Sequence, residues 1–403
     1  PQSLLIPETI NFETYYTRGE LFMGKEKMRI GLLASLAGAL LAYLIGSGTA
    51  SGQESMQYFT SWGSVGGTLT VMVINAVVMF CTFMAYTYAG RHGTSDLAGV
   101  CEFYCGKVVG KLFTAFAWIF NTCCFFFMIS GFGSTLNQQW GLPLWAGYLI
   151  AVALAVGTAV MGLQGIVNII GKIGPVVVTF LFLLGVIAAF RFFPHIPDGI
   201  VLIKYGQVEL LQAGANPVLA GLSFGGCSIL LVAAYMASIG KKLAAYKKKY
   251  TIILCAIGAL AITVTVGILG LCHLGNVEQS ATAAIPNLLI ANDIFGVASS
   301  ILGPVFAIII LLSIYSTFCP MLWTCVSTII KDEKSFKYKL TCILSGVGVF
   351  IVDLFIPYET LVNVIMTYCG YTGSVVFIVL TIRWIMVSRK DKLATASGKV
   401  ELS

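Results

Sequence analysis

The amino-acid sequence predicts an all-α polytopic membrane protein with about ten transmembrane helices. Of its 403 residues, 58% are hydrophobic and only 10% are charged, whereas soluble globular chains carry about 25% charged residues. The mean hydropathy is +0.91. Apolar stretches recur from Ile30 to Val387, and about 20 apolar residues suffice to span a bilayer. These observations exclude a soluble enzyme, a nucleic-acid-binding protein and a secreted disulfide scaffold.

Ten apolar segments are bounded by charged residues, prolines or glycine clusters. The connections between them are short, except for 193–215 and 275–297, which we expect to hold short helices on the membrane surface. The predicted spans are 30–59, 64–90, 107–136, 143–163, 166–192, 216–240, 250–274, 298–330, 336–355 and 359–388.

The distribution of basic residues predicts the orientation of the chain. With an even number of spans both termini lie on one side, and Lys and Arg concentrate in cytoplasmic segments. The termini and the even-numbered connections together hold 22 of the 24 basic residues, whereas the opposite side holds only Arg191 and Lys204. We therefore expect an integral protein of a bacterial cytoplasmic membrane with both termini in the cytoplasm. The net charge of +7 then reflects topology and not binding to nucleic acid.

The ten spans divide into two groups of five. Because five spans reverse the direction of the chain, a repeat between the two groups has to be inverted. The expected organisation is a cytoplasmic leader (1–29), a first five-helix repeat (30–192), an external loop (193–215), a second five-helix repeat (216–388) and a cytoplasmic tail (389–403).

Glycines interrupt the first span of each half, at 46–54 and 221–228. Each glycine weakens a helix by about 1 kcal/mol. Unwound backbone inside a membrane exposes carbonyls to cations or ammonium groups and amides to anions, and paired interruptions of this kind mark transporter binding sites. The alternative is that the glycines only permit close packing of helices. The candidate substrate-binding residues are Gly46, Ser47, Gly48, Thr49, Ala50, Ser51, Gly52, Gln53, Glu54, Ser223, Phe224, Gly225, Gly226, Cys227 and, from the tenth span, Tyr368.

Glu54 is the most informative single residue of the sequence. Sixteen of the seventeen acidic residues fall in the leader, in loops or at span ends, and only Glu54 lies beside a broken intramembrane stretch. Ionisable residues inside a membrane are functional candidates by default. Glu54 could pair with a substrate ammonium, carry a proton or coordinate a cation; alternatively it is a hydrated carboxylate near the external mouth.

Two further features concern ion coupling. Lys172, at the cytoplasmic start of the fifth span, either extends to the interface or folds inward, with its ammonium in the place of a sodium ion. Hydroxyl groups of the eighth span that faced freed carbonyls of the first would form a site for a hard cation. The ion-coupling candidates are Glu54, Lys172, Ser313, Ser316 and Thr317, and the candidate sodium ligands are Gly46, Thr49, Ser313, Ser316 and Thr317.

Signatures of enzymes and tightly bound cofactors are missing from the sequence. There is no H-E-x-x-H motif, no Walker A loop and no intramembrane pair of aspartates. The three histidines fall in loops or near span ends, and most of the twelve cysteines lie in apolar runs, where a free Cys behaves as a small hydrophobe. We therefore expect no catalytic residues, no cofactor and no metal other than a coupling sodium ion.

The interrupted stretches carry a resemblance to a known family. With Gly46-Ser47-Gly48 through Glu54, Ser223 to Gly226 and Tyr368 to Gly373, the chain resembles the amino acid–polyamine–organocation superfamily, and within it bacterial amino-acid permeases of uncharacterised substrate. The resemblance implies the leucine-transporter fold, a 5+5 inverted repeat with broken first and sixth helices. It also implies alternating access, with substrate between the two broken helices and a cation site between the first and eighth.

The resemblance leaves the coupling ion open. Gly171-Lys172 is similar to the pattern of proton-coupled relatives, in which a fifth-span lysine replaces sodium, whereas the hydroxyls of the eighth span keep a sodium-coupled mechanism open. Ordinary amino-acid carriers are uncharged where this chain has Glu54, which favours a cationic or amine-bearing substrate.

The sequence therefore predicts a secondary active transporter for an amino acid or related small amine, coupled to H⁺ or Na⁺. The alternative is a membrane receptor or channel-like subunit that binds a small ligand on the same fold without net transport. The expected partners are a small-molecule substrate and the lipid bilayer, with no nucleic acid and no obligatory protein partner.

Overall fold

The computed structural model of the chain describes residues 28–94, 96–161, 163–330 and 332–396, and its regular elements are helices. The α-helices are α1 (Ile30–Leu44), α2 (Ser47–Ser51), α3 (Val65–Arg91), α4 (Leu97–Trp140), α5 (Leu144–Met161), α6 (Leu163–Phe192), α7 (Ile196–Lys204), α8 (Pro217–Leu243), α9 (Lys248–Gly275), α10 (Val277–Ser280), α11 (Pro286–Phe295), α12 (Ser299–Ile329), α13 (Phe336–Asp353) and α14 (Tyr358–Ala396).

Several helices begin where a polar side chain precedes an apolar run. The side chains of Ser64, Asp96, Asn216 and Ser335 accept hydrogen bonds from backbone amides of the first turns of α3, α4, α8 and α13. Such caps satisfy amides that have no partner within the helix. The boundaries between apolar segments are thus encoded locally, which is why they can be read from the sequence.

Each of the ten predicted apolar segments coincides with a helical region. The first is divided between α1, α2 and the turns that follow, and the third is the part of α4 beyond Gly106, whose φ of 76° separates it from a short preceding stretch. The two long connections contain α7, α10 and α11, as expected. Seven helices of the described chain are long and apolar enough to cross a bilayer, so the protein is polytopic, and the full number of ten crossings stays a prediction.

The break predicted in the sixth span is wrong. α8 runs continuously from Pro217 to Leu243, because its glycines lie where neighbouring backbones approach closely. A methyl group at Gly225 would lie 2.7 Å from Val78 of α3, and one at Gly226 would lie 2.7 Å from the Ser374 amide of α14. Close packing against two helices offsets the low helix propensity of glycine. The packing alternative therefore describes the second glycine stretch.

α8 lies at the centre of the bundle, between α3 and α14. The same close approach continues along α3, where a methyl at Gly221 would lie 2.8 Å from Ile74 and Gly90 packs against the Ala237 carbonyl. α4 packs against α12 and α14, and α2 contacts both α4 and α12. The short α2 at the interruption of the first helix is thereby buried against other helices.

Candidate functional site

The break in the first helix is the centre of the candidate site. α1 ends at Leu44, and Ile45 and Gly46 are extended (ψ 100° and −170°). The five-residue α2 then ends at Gly52, whose φ of +94° belongs to the left-handed region that glycine adopts without strain. A π-helical turn, Ser55–Phe59, follows. The break predicted in the first span is confirmed.

Glu54 folds back over this break. Its side chain is 5% exposed and lies directly on Gly48, where a methyl group would be 2.7 Å from both Cγ and Cδ of Glu54. Its carboxylate accepts a hydrogen bond from the Thr49 hydroxyl. The ion pairs found among the described residues lie at helix ends and do not involve Glu54. A buried carboxylate without a basic partner is costly, so Glu54 is suited to a proton or to a cationic group of a ligand.

Two tyrosines and two cysteines are close enough to Glu54 to interact with its charge: Tyr58, Tyr358, Cys124 and Cys227. The Tyr358 hydroxyl pairs with Ser51 Oγ at 2.9 Å. Tyr358 comes from the first turn of α14 and is fully buried. It therefore packs over the break from the α14 side.

The predicted α8 residues lie beside the break, but most of their polar atoms are already bonded. Ser223 Oγ donates to the Thr367 carbonyl at 2.9 Å, and Cys227 Sγ donates to the Met366 carbonyl at 2.9 Å. Phe224 packs against Tyr58, with ring centroids 5.1 Å apart. These side chains pack beside the break and fasten α8 to α14.

Tyr368 is not brought to the site. It is 68% exposed, because the face of α14 that meets α8 is occupied by Met366, Thr367 and Gly370. Tyr358, ten residues earlier, supplies the aromatic hydroxyl expected from this span. Tyr368 therefore does not belong to the candidate site.

Several buried hydroxyl groups around the break have no hydrogen-bond partner among the described residues: Ser47, Ser55, Ser130 and Thr367. Ser47 also has its amide 3.4 Å from the Met128 sulfur, which is a weak acceptor. Buried polar atoms are nearly always bonded. The unbonded atoms are available to the polar groups of a small ligand or to water.

Two backbone carbonyls near the end of α2 accept hydrogen bonds from Asn287, which lies in α11, in the connection after α9. We call this contact the Asn287 clamp. Asn287 Nδ2 donates to the carbonyls of Thr49 (3.0 Å) and Ala50 (3.1 Å). Because this fixes the amide orientation, Asn287 Oδ1 accepts from His273 Nε2 at 3.0 Å. His273 Nδ1 in turn pairs with Ser280 Oγ at 3.1 Å. Asn287 and His273 are fully buried, so the clamp ties α11 to the break.

Gln53 and Gln57 connect the break to the segment between α10 and α11 and to the start of α14. Gln53 Nε2 donates to the carbonyls of Ala283 and Ala284, at 3.2 and 3.1 Å, and Gln57 Nε2 donates to the Glu359 carbonyl at 2.9 Å. A cavity of about 190 Å³, lined by Gln53, Gln57, Glu209, Thr282 and Glu359 among others, lies beyond them. Gln53 thus separates Glu54 from this cavity.

The structure addresses the ion-coupling residues only in part. α12 packs against α2, and the Ser316 and Thr317 hydroxyls donate to the Ser313 carbonyl at 2.7 and 3.0 Å. The lone pairs of both hydroxyl oxygens could still coordinate a cation. The sodium site stays a prediction. The side chain of Lys172, in α6, lies outside the described residues. No group of three His, Cys, Asp or Glu side chains among the described residues could hold a metal ion.

Three residues of this region, Tyr358, His273 and Asn287, were not predicted, and neither was the burial of Asp353 elsewhere in the bundle. Asp353, at the end of α13, is 3% exposed, and both of its carboxylate oxygens lack a partner among the described residues. Only Asp353 carries a signal in the sequence, because apolar residues flank it on both sides from Val349 to Ile356. Tyr358 and Asn287 contact residues far away in the chain, whereas His273 contacts the nearby Ser280 and Asn287.

Known proteins are similar to this chain over part or most of its length. No protein-family model matches the chain. It is 26% identical over 204 residues to the uncharacterized protein YyaD of Bacillus subtilis (strain 168), and the match covers 51% of this chain and 55% of YyaD. The chain thus spans about half the length of this curated relative.

Solved structures cover nearly the whole chain. The inward-facing conformation of Mhp1 matches 89% of this chain and 77% of its own at a TM-score of 0.51 and 17% identity. MhsT in complex with L-phenylalanine matches 90% and 89% at a TM-score of 0.55 and 15% identity. The Eremococcus coleocola manganese transporter matches 96% and 93% at a TM-score of 0.55 and 14% identity.

These similarities confirm the leucine-transporter fold expected from the sequence, except for the break in the sixth helix, which α8 lacks. The chain is an integral membrane protein. At identities of 14% to 17% the similarity concerns the fold alone, and the side chains around Glu54 have to support any further conclusion.

Proposed function

We propose that the protein is a secondary active transporter that moves an amino acid or a related small amine by alternating access. The observation that carries the proposal is the Glu54 carboxylate, which is buried on the helix break and has Thr49 as its hydrogen-bond donor. The ammonium group of a substrate would supply the positively charged partner that the Glu54 carboxylate lacks among the described residues. The unbonded Ser47 and Ser130 hydroxyls would receive the remaining polar groups of such a substrate.

The side chains at the break favour this substrate class over a metal ion. MhsT was solved with L-phenylalanine, whereas the Eremococcus coleocola protein is a manganese transporter. A divalent metal ion requires several hard ligands around one point. The described residues of this chain provide one carboxylate at the break and no group of three potential ligands.

Uptake into proteoliposomes tests the proposal. Each common L-amino acid, and putrescine as a simple diamine, is supplied singly under an inward proton or sodium gradient. We expect saturable accumulation of at least one of these compounds that collapses with the gradient. Binding without accumulation would indicate the receptor alternative, and flux that only follows the concentration gradient would indicate a channel-like subunit.

Glu54→Gln tests the role of the carboxylate, because it retains the size of the side chain and removes its charge. We expect loss of binding and uptake of amine-bearing substrates. Glu278→Gln is the matched control, since Glu278 is exposed on α10. Unchanged uptake in Glu54→Gln would contradict the proposed site.

A further inference from the structure

A polar cleft lies between the end of α6, α7 and the connection that carries the Asn287 clamp. Its volume of about 540 Å³ is within the range of small-ligand sites. The side chains that line it include Arg191, His195, Asp198, Asn276 and Asp293. These residues take no part in the candidate site around Glu54, so the cleft is a separate place where a small ligand could bind.

Close backbone contacts bring the elements of the cleft together. Gly275, at the end of α9, packs against the Phe192 carbonyl, and Gly199 of α7 packs against the Leu274 carbonyl. A side chain at either glycine would collide with these carbonyls. The end of α6 and α7 are therefore held at the point where the connection after α9 begins.

The polar groups of the cleft are unequally paired. Arg191 Nη2 donates to Asp293 Oδ1 at 2.8 Å, so these two charges balance. Asp198 Oδ2 faces His195 Nδ1 at 3.5 Å, and this imidazole is charged only when it is protonated. Asn276 Nδ2 is buried and has no hydrogen-bond partner among the described residues, although buried polar atoms are nearly always bonded. The cleft thus offers a carboxylate to an ammonium group and an unbonded donor to an acceptor oxygen.

Hydrogen bonds connect the cleft to the helix break. The Ser280 amide donates to the Asn276 carbonyl at 2.9 Å, and Ser280 Oγ pairs with His273 Nδ1 at 3.1 Å. His273 Nε2 in turn bonds to Asn287, the clamp residue. The helix that carries Asn287 returns to the cleft at its other end, through Asp293. A ligand that bridged α7 and α10 would therefore hold the connection, and with it the Asn287 clamp, in place.

We propose that this cleft is a second binding site, for a small zwitterion, and that its occupation stabilises the Asn287 clamp. The ammonium group of the ligand would lie at Asp198, and its anionic oxygens would meet Asn276 and the other N–H groups of Arg191. An α-amino acid and the headgroup of phosphatidylethanolamine both carry this pair of charges. Because alternating access requires the clamp to open, an occupied cleft would slow uptake, and this consequence rests on the proposed transport function.

Hydrogen–deuterium exchange of the Glu54→Gln chain tests the cleft without the central carboxylate. The chain is studied in lipid-free dodecyl maltoside micelles with each common L-amino acid, with acetate and with putrescine. We expect at least one amino acid, at ten times its dissociation constant, to slow exchange of the Ser280 and Ala281 amides by about tenfold. These amides bond to the carbonyls of Asn276 and Val277 in α10. Acetate and putrescine each lack one of the two charged groups and should protect them only weakly.

Nanodiscs distinguish a free solute from a lipid. Without amino acid, protection of the same amides in phosphatidylethanolamine–phosphatidylglycerol nanodiscs but not in phosphatidylglycerol alone would identify the headgroup as the occupant. Protection by amino acids in micelles alone would identify a free solute. Absence of protection in both arms, or equal protection by acetate or putrescine, would overturn the proposal.

Substitutions locate the ligand within the cleft. Asp198→Asn removes the charge that would face the ammonium, and Asn276→Ala removes the unbonded donor. Each should raise the dissociation constant of the ligand about fivefold, the effect of one hydrogen bond. Asp332→Asn neutralises an exposed acid before α13 and should leave binding unchanged. An unchanged dissociation constant in both cleft variants would place the ligand elsewhere and overturn the proposal.

The amides of the break report whether the cleft acts on the clamp. The ligand should also slow exchange of the Ala50 and Gly52 amides, which bond within the break. Adding Asn287→Ala should abolish this effect while the protection of α10 persists. Protection of α10 that never reaches the break would overturn the link to the clamp. These measurements need no transport, so absence of uptake by the wild type in proteoliposomes would refute the transport function and leave the binding site standing.

Discussion

Asn287→Ala is expected to loosen the closure of the connection after α9 over the helix break. The substitution removes donors from two buried carbonyls, Thr49 and Ala50, and the acceptor from His273 Nε2. Each lost hydrogen bond contributes about 1 kcal/mol, and an unsatisfied buried partner raises the loss. Opening toward water would hydrate these groups, so the closed state loses about 3 kcal/mol relative to the open one, which is an approximately 100-fold shift in the equilibrium.

Hydrogen–deuterium exchange measures this shift directly, because local opening exposes amides in proportion to the open population. The reporters are the amides of Ala50, Gly52 and Met56, which bond to the carbonyls of Gly46, Gly48 and Gly52. We expect their exchange to accelerate by about 100-fold in Asn287→Ala. Asn292→Ala is the matched control on α11, since Asn292 Oδ1 makes no hydrogen bond to a described residue. Unchanged protection in Asn287→Ala would refute the clamp.

Three further predictions concern single positions. Gly48→Ala places a methyl group on the Glu54 carboxylate and should abolish uptake while the fold persists, whereas Gly66→Ala, which meets open space, should transport normally. Gly226→Ala presses against the backbone of Gly370 and Ser374, so we expect the free energy of unfolding to fall by about 1–3 kcal/mol. On heating, the buried cysteines should then react with a maleimide dye at a lower temperature. Gly157→Ala, in open space, should leave the unfolding temperature unchanged. Tyr358→Phe removes the partner of Ser51 Oγ and should weaken substrate binding by about 1 kcal/mol, measured by thermal shift; unaltered binding would place the substrate elsewhere.

The two glycine stretches show what a sequence determines about a broken helix. Gly46, Gly48 and Gly52 lower helix propensity, and the segment around them is polar, so the break in the first helix could be predicted. Gly221, Gly225 and Gly226 lower propensity equally, but whether such glycines unwind or pack depends on the surfaces that meet them. Those surfaces are contributed by α3 and α14, and a single segment does not reveal them.

The same distinction applies to the candidate site. Glu54 could be identified because the adjoining break is local in sequence. In the sequence, Asp353 is one of the acids at span ends. Its burial follows from the packing of α13 beside α5 and α4. His273 was placed near a span end for the same reason. Its importance comes from its bond to Asn287, whose other two partners, the carbonyls of Thr49 and Ala50, lie more than two hundred residues earlier in the chain.

The continuity of α8 constrains how alternating access could proceed in this protein. Ser223 and Cys227 donate to α14 carbonyls, and Gly226 packs on the α14 backbone, so displacement of α8 alone would break buried contacts and leave polar atoms unpaired. We therefore expect the 366–374 stretch of α14 to move together with α8. Gly52, in contrast, has the backbone freedom of a glycine at positive φ, and the clamp from Asn287 is held by only a few hydrogen bonds. Relative motion should then concentrate at the first helix, where Glu54 exchanges its proton or its ligand.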